Sequence, residues 1–190
     1  MNKAKEKILL ARIQQQQDTQ AFGQFYETLV DPIYRFVFFK VSHTELAQDL
    51  TSETFLRAWR GLTSPSAIPI RHLRAYVYQT ARSLVIDHYR KGAKWREESL
   101  DAAAGLMGDV DVHRRAEFLL EAQELFTYIQ RLKESYQEIL LLKYVEDLSL
   151  TEIAPIMGKS PVATRVLLHR AHKALKREYD LIASTTETKL

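Results

Sequence analysis

Residues 149–177 read SLTEIAPIMGKSPVATRVLLHRAHKALKR, and this pattern predicts two short helices joined by a tight turn. The stretch begins at Ser149 with an S-x-x-E capping box, in which two side chains satisfy free backbone donors at a helix start. Gly158 tolerates the left-handed backbone that commonly ends a helix. Ser160 followed by Pro161 is a favoured start for the next helix, because Ser caps it and Pro is pre-shaped for its first position.

The second of these helices is strongly basic. Residues 159–177 contain six Lys or Arg, two His and no acid. A Gly turn followed by a basic helix is typical of a helix-turn-helix that enters the major groove of DNA. An ordinary helical hairpin with a solvated cationic face would give the same pattern, so that alternative stays open at this point.

Positive charge is also concentrated in a second segment. Residues 71–96 contain seven Lys or Arg and one Asp, a net charge of +6, and residues 159–177 add another +6. The other residues then hold 14 basic and 23 acidic side chains, a net charge of −9, although the whole chain is only +3. Two separate basic patches on an otherwise acidic protein indicate a polyanion that is bound at two places.

Composition argues against several classes of function. The chain has no cysteine, so it has no disulfide, thiolate zinc site or cysteine nucleophile. It also lacks a Gly-rich phosphate loop, a metal-spaced cluster and a Ser-His-Asp arrangement, so we expect neither an enzyme nor a cofactor. Its apolar runs are far too short to span a bilayer and its first residues do not resemble an export signal. We therefore expect a cytoplasmic protein with no membrane insertion.

Helical periodicity dominates, so the predicted fold class is all-α. Helices are expected over about 8–16, 22–39 (interrupted at Asp31-Pro32), 44–59, 71–91, 114–132 and 136–145, followed by the helix-turn-helix. Residues 61–70, with one Gly and two Pro, are expected to form a loop. Small and acidic residues follow Gly92 and predict a flexible acidic linker. The expected organisation is two small helical domains, 1–96 and 114–190, joined by a linker at 97–113.

Three segments together resemble a known family. DLTSETFLRAW (49–59) and LRAYVYQTARSLVIDHYRK (73–91) resemble region 2 of bacterial sigma-70 family sigma factors of the extracytoplasmic-function (ECF) group. Residues 132–175, which begin LKESYQEILLLKYVEDLSL, resemble region 4 of the same family. The resemblance implies a factor that binds core RNA polymerase, recognises the −10 and −35 promoter elements and promotes strand opening. The alternative is a helix-turn-helix regulator that never docks on polymerase.

On the helix after residue 71, one face is expected to be buried and another to bind DNA. Leu73, Val77, Ala81, Leu84 and His88 recur at helical spacing and predict the buried stripe. Arginines on another face can hold phosphates, while a tyrosine can stack on a base taken from the duplex. The alternative to base stacking, which stays equally open at this point, is that Tyr76 and Tyr78 pack in the core. The residues expected to contact the melted −10 element are Arg71, Arg74, Tyr76, Tyr78, Arg82, Ser83, Arg90 and Lys91.

For −35 binding the resemblance points to the second helix of the helix-turn-helix, with Thr164, Leu168, Ala171 and Leu175 as its buried stripe. The residues expected to contact −35 DNA are Ser160, Arg165, Val166, His169, Arg170 and Lys173. Val166 and Leu167 stand where the family usually has Ser and Arg. Apolar side chains can touch thymine methyls but cannot hydrogen-bond base edges, so we expect few polar base contacts here. The rival explanation is that these apolar residues meet a protein such as an anti-sigma factor.

The resemblance also implies the polymerase-binding face, at Asp49, Ser52, Glu53 and Arg57. The family often has Gln where this chain has Ser52, so one contact is expected to be missing. A solvated Glu53–Arg57 ion pair, worth a few tenths of a kcal/mol, would give the same sequence pattern. The expected partners are core RNA polymerase, promoter DNA and an anti-sigma factor, with no small-molecule substrate.

Overall fold

The computed structural model describes residues 3–64, 70–98 and 128–187, and within those ranges the chain is helical with no strand. The chain divides into two compact units, unit 1 (Met1–Val110) and unit 2 (Asp111–Leu190). The expected all-α, two-domain architecture is confirmed. Most of the predicted linker at 97–113 lies outside the described residues. The helices are α1 (Lys3–Gln16), α2 (Thr19–Val41), α3 (Thr44–Thr63), α4 (Leu73–Glu98), α5 (Glu134–Leu140), α6 (Leu150–Ile156) and α7 (Pro161–Glu187).

Helix α2 forms the centre of unit 1 and packs against α1, α3 and α4. Its buried stripe includes Phe25, Leu29, Ile33 and Phe36, none more than 2% exposed. The predicted interruption at Pro32 is wrong, because α2 runs through it without a break. An interior Pro costs about 3 kcal/mol. Each large apolar side chain buried on either side contributes roughly 1.5–3 kcal/mol, so the packing offsets that cost.

The start of α2 is fixed by an Asp cap. The Asp18 Oδ1 atom accepts a hydrogen bond from the backbone N–H of Ala21 (2.9 Å), and its Oδ2 atom lies 2.6 Å from a guanidinium nitrogen of Arg12. The Ala21 hydrogen bond, and after it that from the Arg12 side chain, hold the pKa of Asp18 below its ordinary value of 3.8. The ionised carboxylate therefore stabilises both the helix start and the connection to α1.

Helix α4 is longer than the sequence predicts. It continues past Gly92 to Glu98, so the first two residues of the predicted linker are helical. Gly lowers helix propensity by about 1 kcal/mol but does not end a helix by itself, and the Ala, Lys, Arg and Glu that follow are good helix formers. At the other end of α4, the Glu6 carboxylate accepts a hydrogen bond from the backbone N–H of Arg74 (3.0 Å). This contact joins the N-terminal helix α1 to the start of α4.

Unit 2 contains the helix-turn-helix and a small core beneath it. The predicted helix at 136–145 is present as α5 followed by a π-helical turn, Leu141–Val145. Ile139 and Leu142 from this segment are fully buried, as are Ile153 and Ile156 from α6. Helix α7 lies against α5 and α6 and completes this core.

Candidate nucleic-acid interface

The turn predicted between the two helices of the helix-turn-helix is confirmed in detail. The Glu152 carboxylate accepts hydrogen bonds from the backbone N–H of Ser149 (3.0 Å) and from its hydroxyl (2.7 Å). Gly158 has φ +62°, the left-handed conformation expected of it. The Ser160 hydroxyl then accepts a hydrogen bond from the backbone N–H of Ala163 (3.2 Å) and caps α7. Local chemistry alone therefore sets the angle at which α7 leaves the turn.

Helix α6 is as short as Pro155 predicts. It spans only Leu150–Ile156 and ends one residue after the Pro. The chain closes the end with hydrogen bonds from Met157 N–H to Ile153 O (2.9 Å) and from Lys159 N–H to Ala154 O (2.9 Å). The short helix brings the turn, and with it the start of α7, close to the unit 2 core.

Helix α7 exposes most of its residues to solvent. Among residues 161–181 only Thr164 and Ala171 are buried, and both were predicted; Leu168 and Leu175 are half-buried. Every residue expected to contact −35 DNA is exposed: Ser160, Arg165, Val166, His169, Arg170 and Lys173. Two apolar residues stand where the family usually has Ser and Arg: Leu167 is half-buried, and Val166 is 44% exposed. Val162, one turn earlier on the same helix, is 71% exposed. The exposed side of the helix therefore carries both cations and valines.

A second feature of α7 was not predicted. The Tyr144 hydroxyl lies 2.6 Å from Nε2 of His172, and the rings of Tyr128 and Tyr179 meet edge to face at 6.0 Å. These contacts cover a side of α7 different from that of Val166. The paired residues are 28 and 51 positions apart along the chain, and nothing in local spacing indicates such a pairing.

In unit 1 the two candidate stacking tyrosines have different environments. Tyr78 is 1% exposed and its ring meets Phe36 edge to face at 5.2 Å. The base-stacking role expected for Tyr78 therefore does not fit this structure, and the alternative of core packing does. Tyr76 is half-buried, and its ring lies over Gly61 of α3 so closely that a Cβ at Gly61 would collide with the phenolic oxygen. Only Tyr76 keeps surface that a base could reach.

The predicted buried stripe of α4 is confirmed for its first four members, while the fifth is wrong. Leu73, Val77, Ala81 and Leu84 are at most 6% exposed, but His88 is exposed. The buried stripe of α4 therefore ends before His88. Tyr89 marks this limit: its hydroxyl donates to the Lys40 carbonyl (2.8 Å), and burial of the phenol raises its pKa above the ordinary 10.0.

The basic residues of α4 lie on its accessible sides. Arg71, Ser83 and Arg90 are exposed, and Arg74 and Arg82 are half-buried. Arg90 is 3.4 Å from Asp87, an exposed pair of little energetic weight. The side chain of Lys91 lies outside the described residues. Arg74 and Arg82 lie four positions before and four positions after the buried Tyr78, so these two cations are on a different face of α4 from Tyr76.

On α3, the face implied for polymerase binding is polar and accessible. Asp49, Ser52 and Arg57 are exposed and Glu53 is half-buried. Arg57 lies 3.4 Å from Glu53 and 3.9 Å from Asp87 of α4, so the expected ion pair forms within a wider cluster. Leu56, which was not predicted, is 52% exposed on this same face. The sequence did contain a signal for this position: Leu56 follows Ser52 by four residues, a spacing that places both on one face of the helix.

In residues 3–64, 70–98 and 128–187 no group of His, Asp or Glu could hold a metal ion. Over those same ranges no helix combines the length and apolarity needed to cross a membrane.

Comparisons with known proteins identify the class. The family described as Sigma-70 region 2 matches residues 25–96, and the family described as Sigma-70, region 4 matches residues 122–175. The chain is 34% identical to the ECF RNA polymerase sigma factor BldN of Streptomyces coelicolor over 84% of this chain and 61% of BldN. It is 30% identical to the ECF RNA polymerase sigma factor SigM of Bacillus subtilis over 83% of this chain and 94% of SigM. The chain belongs to the sigma-70 family of sigma factors, in its ECF group.

Solved structures agree at the level of the fold. CnrH, solved in complex with the cytosolic domain of CnrY, has a TM-score of 0.64 at 21% identity, over 93% of this chain and 98% of CnrH. The sigma factor RpoE of Bartonella quintana, solved with the anti-sigma factor NepR, has a TM-score of 0.64 at 18% identity, over 85% of this chain and 98% of RpoE.

Proposed function

We propose that this chain is a transcription initiation factor that binds core RNA polymerase, recognises −10 and −35 promoter elements and promotes strand opening. The observation that carries the proposal is that one chain contains both sigma-70 regions, 2 and 4, in that order. The polymerase would supply the chemistry, so this factor would have no catalytic residue and no cofactor. Its place of action would be the cytoplasm, where the polymerase works.

For −35 binding we propose that α7 enters the major groove. The exposure of Arg165, His169, Arg170 and Lys173, and the rigid turn before them, support this role. These cations can hold phosphates, while Val166 can touch a thymine methyl. The helix-turn-helix needs no rearrangement to accept duplex DNA.

For the −10 element we propose that Tyr76 stacks on an unpaired base while Arg71, Arg74 and Arg82 hold phosphates elsewhere along the melted strand. Stacking of a base on an aromatic ring is worth roughly 1–3 kcal/mol, about the same as the few kcal/mol needed to unstack one. Tyr76 is half-buried and therefore keeps accessible ring surface, which supports this role. A base captured in this way would keep the strands from closing again.

For docking on core polymerase we propose the exposed face of α3. Asp49, Ser52, Glu53 and Arg57 provide its polar groups, and Leu56 adds an apolar side chain near its centre. An exposed apolar residue surrounded by polar ones is a common arrangement at protein interfaces.

Reconstituted transcription tests the proposed function. The full chain, mixed with core RNA polymerase and a genomic promoter library, should co-elute with the polymerase and start transcripts at defined sites. Neither component alone should do so. Binding to DNA without co-elution or transcripts would instead establish the regulator that acts without docking.

We also propose an anti-sigma factor as a partner. Exposed apolar side chains of unit 2 support a protein ligand, among them Tyr144, Val145 and Tyr179, each more than half exposed. If an inhibitor of this kind holds the chain in cells, raising the amount of this chain alone should exceed the inhibitor and induce the dependent promoters. Absence of induction, with the chain active in vitro, would exclude such a partner under those conditions.

A further inference from the structure

A cleft of about 420 Å³ lies in unit 2, between the segment before α5 and the middle of α7. Arg131 and Lys133 line one side of it, and Arg170, Lys173 and Arg177 line the other. Glu178 is the one acid among the residues that line it. Arg131 and Lys133 precede α7 by about 30 residues or more in the sequence, so only the fold brings the five cations together.

The cleft has the electrostatic character of an anion site. Its cations outnumber its acids by four, and all five cations are exposed. Within the described part of the chain none of the five forms an ion pair. Like charges gathered around one concave surface attract anions and repel one another, so the arrangement is most stable when an anion occupies it.

The shape of the cleft favours phosphates carried on a large molecule. Sites for free small molecules usually enclose most of the ligand surface. This cleft is instead partly open to solvent and is lined by long cationic side chains. A sugar-phosphate backbone can lie along such a surface without being enclosed.

The position of the cleft on α7 agrees with this occupant. Arg170, Lys173 and Arg177 follow Val166 by four, seven and eleven positions, so all four lie on one side of the helix. At about 1.5 Å of rise per residue, the three cations lie roughly 6–16 Å further along. The major groove is about 12 Å wide. With Val166 at the base edges, the cleft would therefore meet the phosphates that border the groove.

We propose that this cleft is a phosphate-binding site that holds the DNA backbone bordering the −35 groove, and that Arg131 and Lys133 are part of it. The inference rests on the proposed function, and it adds to the −35 surface two residues from outside the helix-turn-helix. These residues increase affinity for duplex of any sequence and leave sequence preference to the start of α7.

Salt dependence of promoter binding tests the site. Holoenzyme carrying Arg131→Gln/Lys133→Gln is compared with wild type and with Lys5→Gln/Lys7→Gln, which removes the same charge from exposed positions of α1. Each lost phosphate contact should reduce the slope of log affinity against log salt by about 1, so we expect a total reduction of about 2. The control should keep the wild-type slope. An unchanged slope in the cleft variant would overturn the proposal.

Phosphate neutralisation identifies the occupant. Single methylphosphonates are placed along the backbone beside the −35 element, each removing one phosphate charge. Wild type should lose affinity at one or two bordering positions, and the cleft variant should be insensitive at those same positions. Equal losses in both proteins would show that other residues hold these phosphates and would contradict the proposal.

Inorganic pyrophosphate, at constant ionic strength, tests for a free phosphorylated ligand. It should compete weakly or not at all with promoter DNA. Strong competition that disappears in the cleft variant, without a methylphosphonate effect, would assign the cleft to a small molecule and overturn the DNA assignment. Transcription by the wild-type chain distinguishes failure of the proposed function from failure of the cleft proposal. Absence of transcription contradicts the proposed function. Normal transcription with an unchanged salt slope in the cleft variant contradicts only the role of the cleft.

Discussion

Helices α4 and α7 are similar in length and charge but differ in how much of their surface is free. They span 26 and 27 residues, and each carries a row of cations. Helix α4 buries a row of apolar residues, including Leu73, Val77 and Tyr78, against three other helices. Of residues 161–181 of α7, only Thr164 and Ala171 are buried.

The difference agrees with the two kinds of DNA that the proposed function assigns to these helices. A regular duplex presents the same grooves everywhere, so an exposed, preformed helix such as α7 can dock on it directly. A melted strand presents separate bases, and each needs its own partly enclosed contact. Tyr76, half-buried over Gly61, would provide a contact of that kind in the proposed function.

The largest expected effect follows from the difference between the two tyrosines. Tyr78→Ala should lower the free energy of unfolding by about 3–5 kcal/mol, because it leaves a cavity beside Phe36 in the unit 1 core. Tyr76→Ala should cost clearly less, while it reduces strand opening. Chemical denaturation of the two variants measures the contrast. Equal destabilisation by Tyr78→Ala and Tyr76→Ala would contradict the difference in burial between the two rings.

The next largest effect on stability concerns the contact between Tyr76 of α4 and Gly61 of α3. Gly61→Ala should destabilise unit 1 by about 1–3 kcal/mol, because the new methyl group meets the Tyr76 hydroxyl. Tyr76→Phe removes that oxygen and should restore most of the loss in the double variant, while costing little alone. Thermal unfolding of the four proteins completes the cycle. Simple additivity of the two changes would mean that the ring does not rest on Gly61.

A smaller loss of stability is expected from Asp18→Ala, because it removes the cap at the start of α2. Because the folded pKa of Asp18 is lowered, its stabilisation is complete above the ordinary value of 3.8 and is lost as the pH falls below it. The stability difference between wild type and variant should therefore shrink on acidification below that value. Asp31→Ala, on the exposed side of the same helix, is the control and should show no such trend.

The smallest effect concerns sequence preference on α7. Val166→Ser should change the preferred base near its side chain by about 1 kcal/mol or less, because an apolar methyl contact is replaced by a hydroxyl that can hydrogen-bond. Selection from a promoter library measures the change. Val145→Ser, at an exposed position outside α7, is the control. Identical preferences for wild type and Val166→Ser would instead favour a protein partner for this valine.

The features predicted correctly from the sequence depend on residues a few positions apart. Ser149, Gly158 and Ser160 determine the helix-turn-helix through hydrogen bonds within three residues or a single backbone angle. Pro32 and His88 were assigned wrongly, because neighbouring helices decide whether a Pro is tolerated and where a buried stripe ends.

The same limit applies to the candidate sites. Spacing could not decide which tyrosine is buried, because Tyr76 and Tyr78 both lie on one long helix and only Phe36 and Gly61 distinguish them. Arg131 and Lys133 were missed because no local pattern connects them to α7.

Permanganate footprinting tests the division of roles between the two units most directly, because permanganate attacks thymines that are not stacked in a duplex. With core polymerase and wild-type chain, thymines of the −10 element should become reactive, and core alone should leave them protected. Tyr76→Ala should keep −35 duplex binding while its −10 thymines stay largely unreactive. Equal −10 reactivity in wild type and Tyr76→Ala, at equal promoter occupancy, would contradict the assignment of strand capture to unit 1.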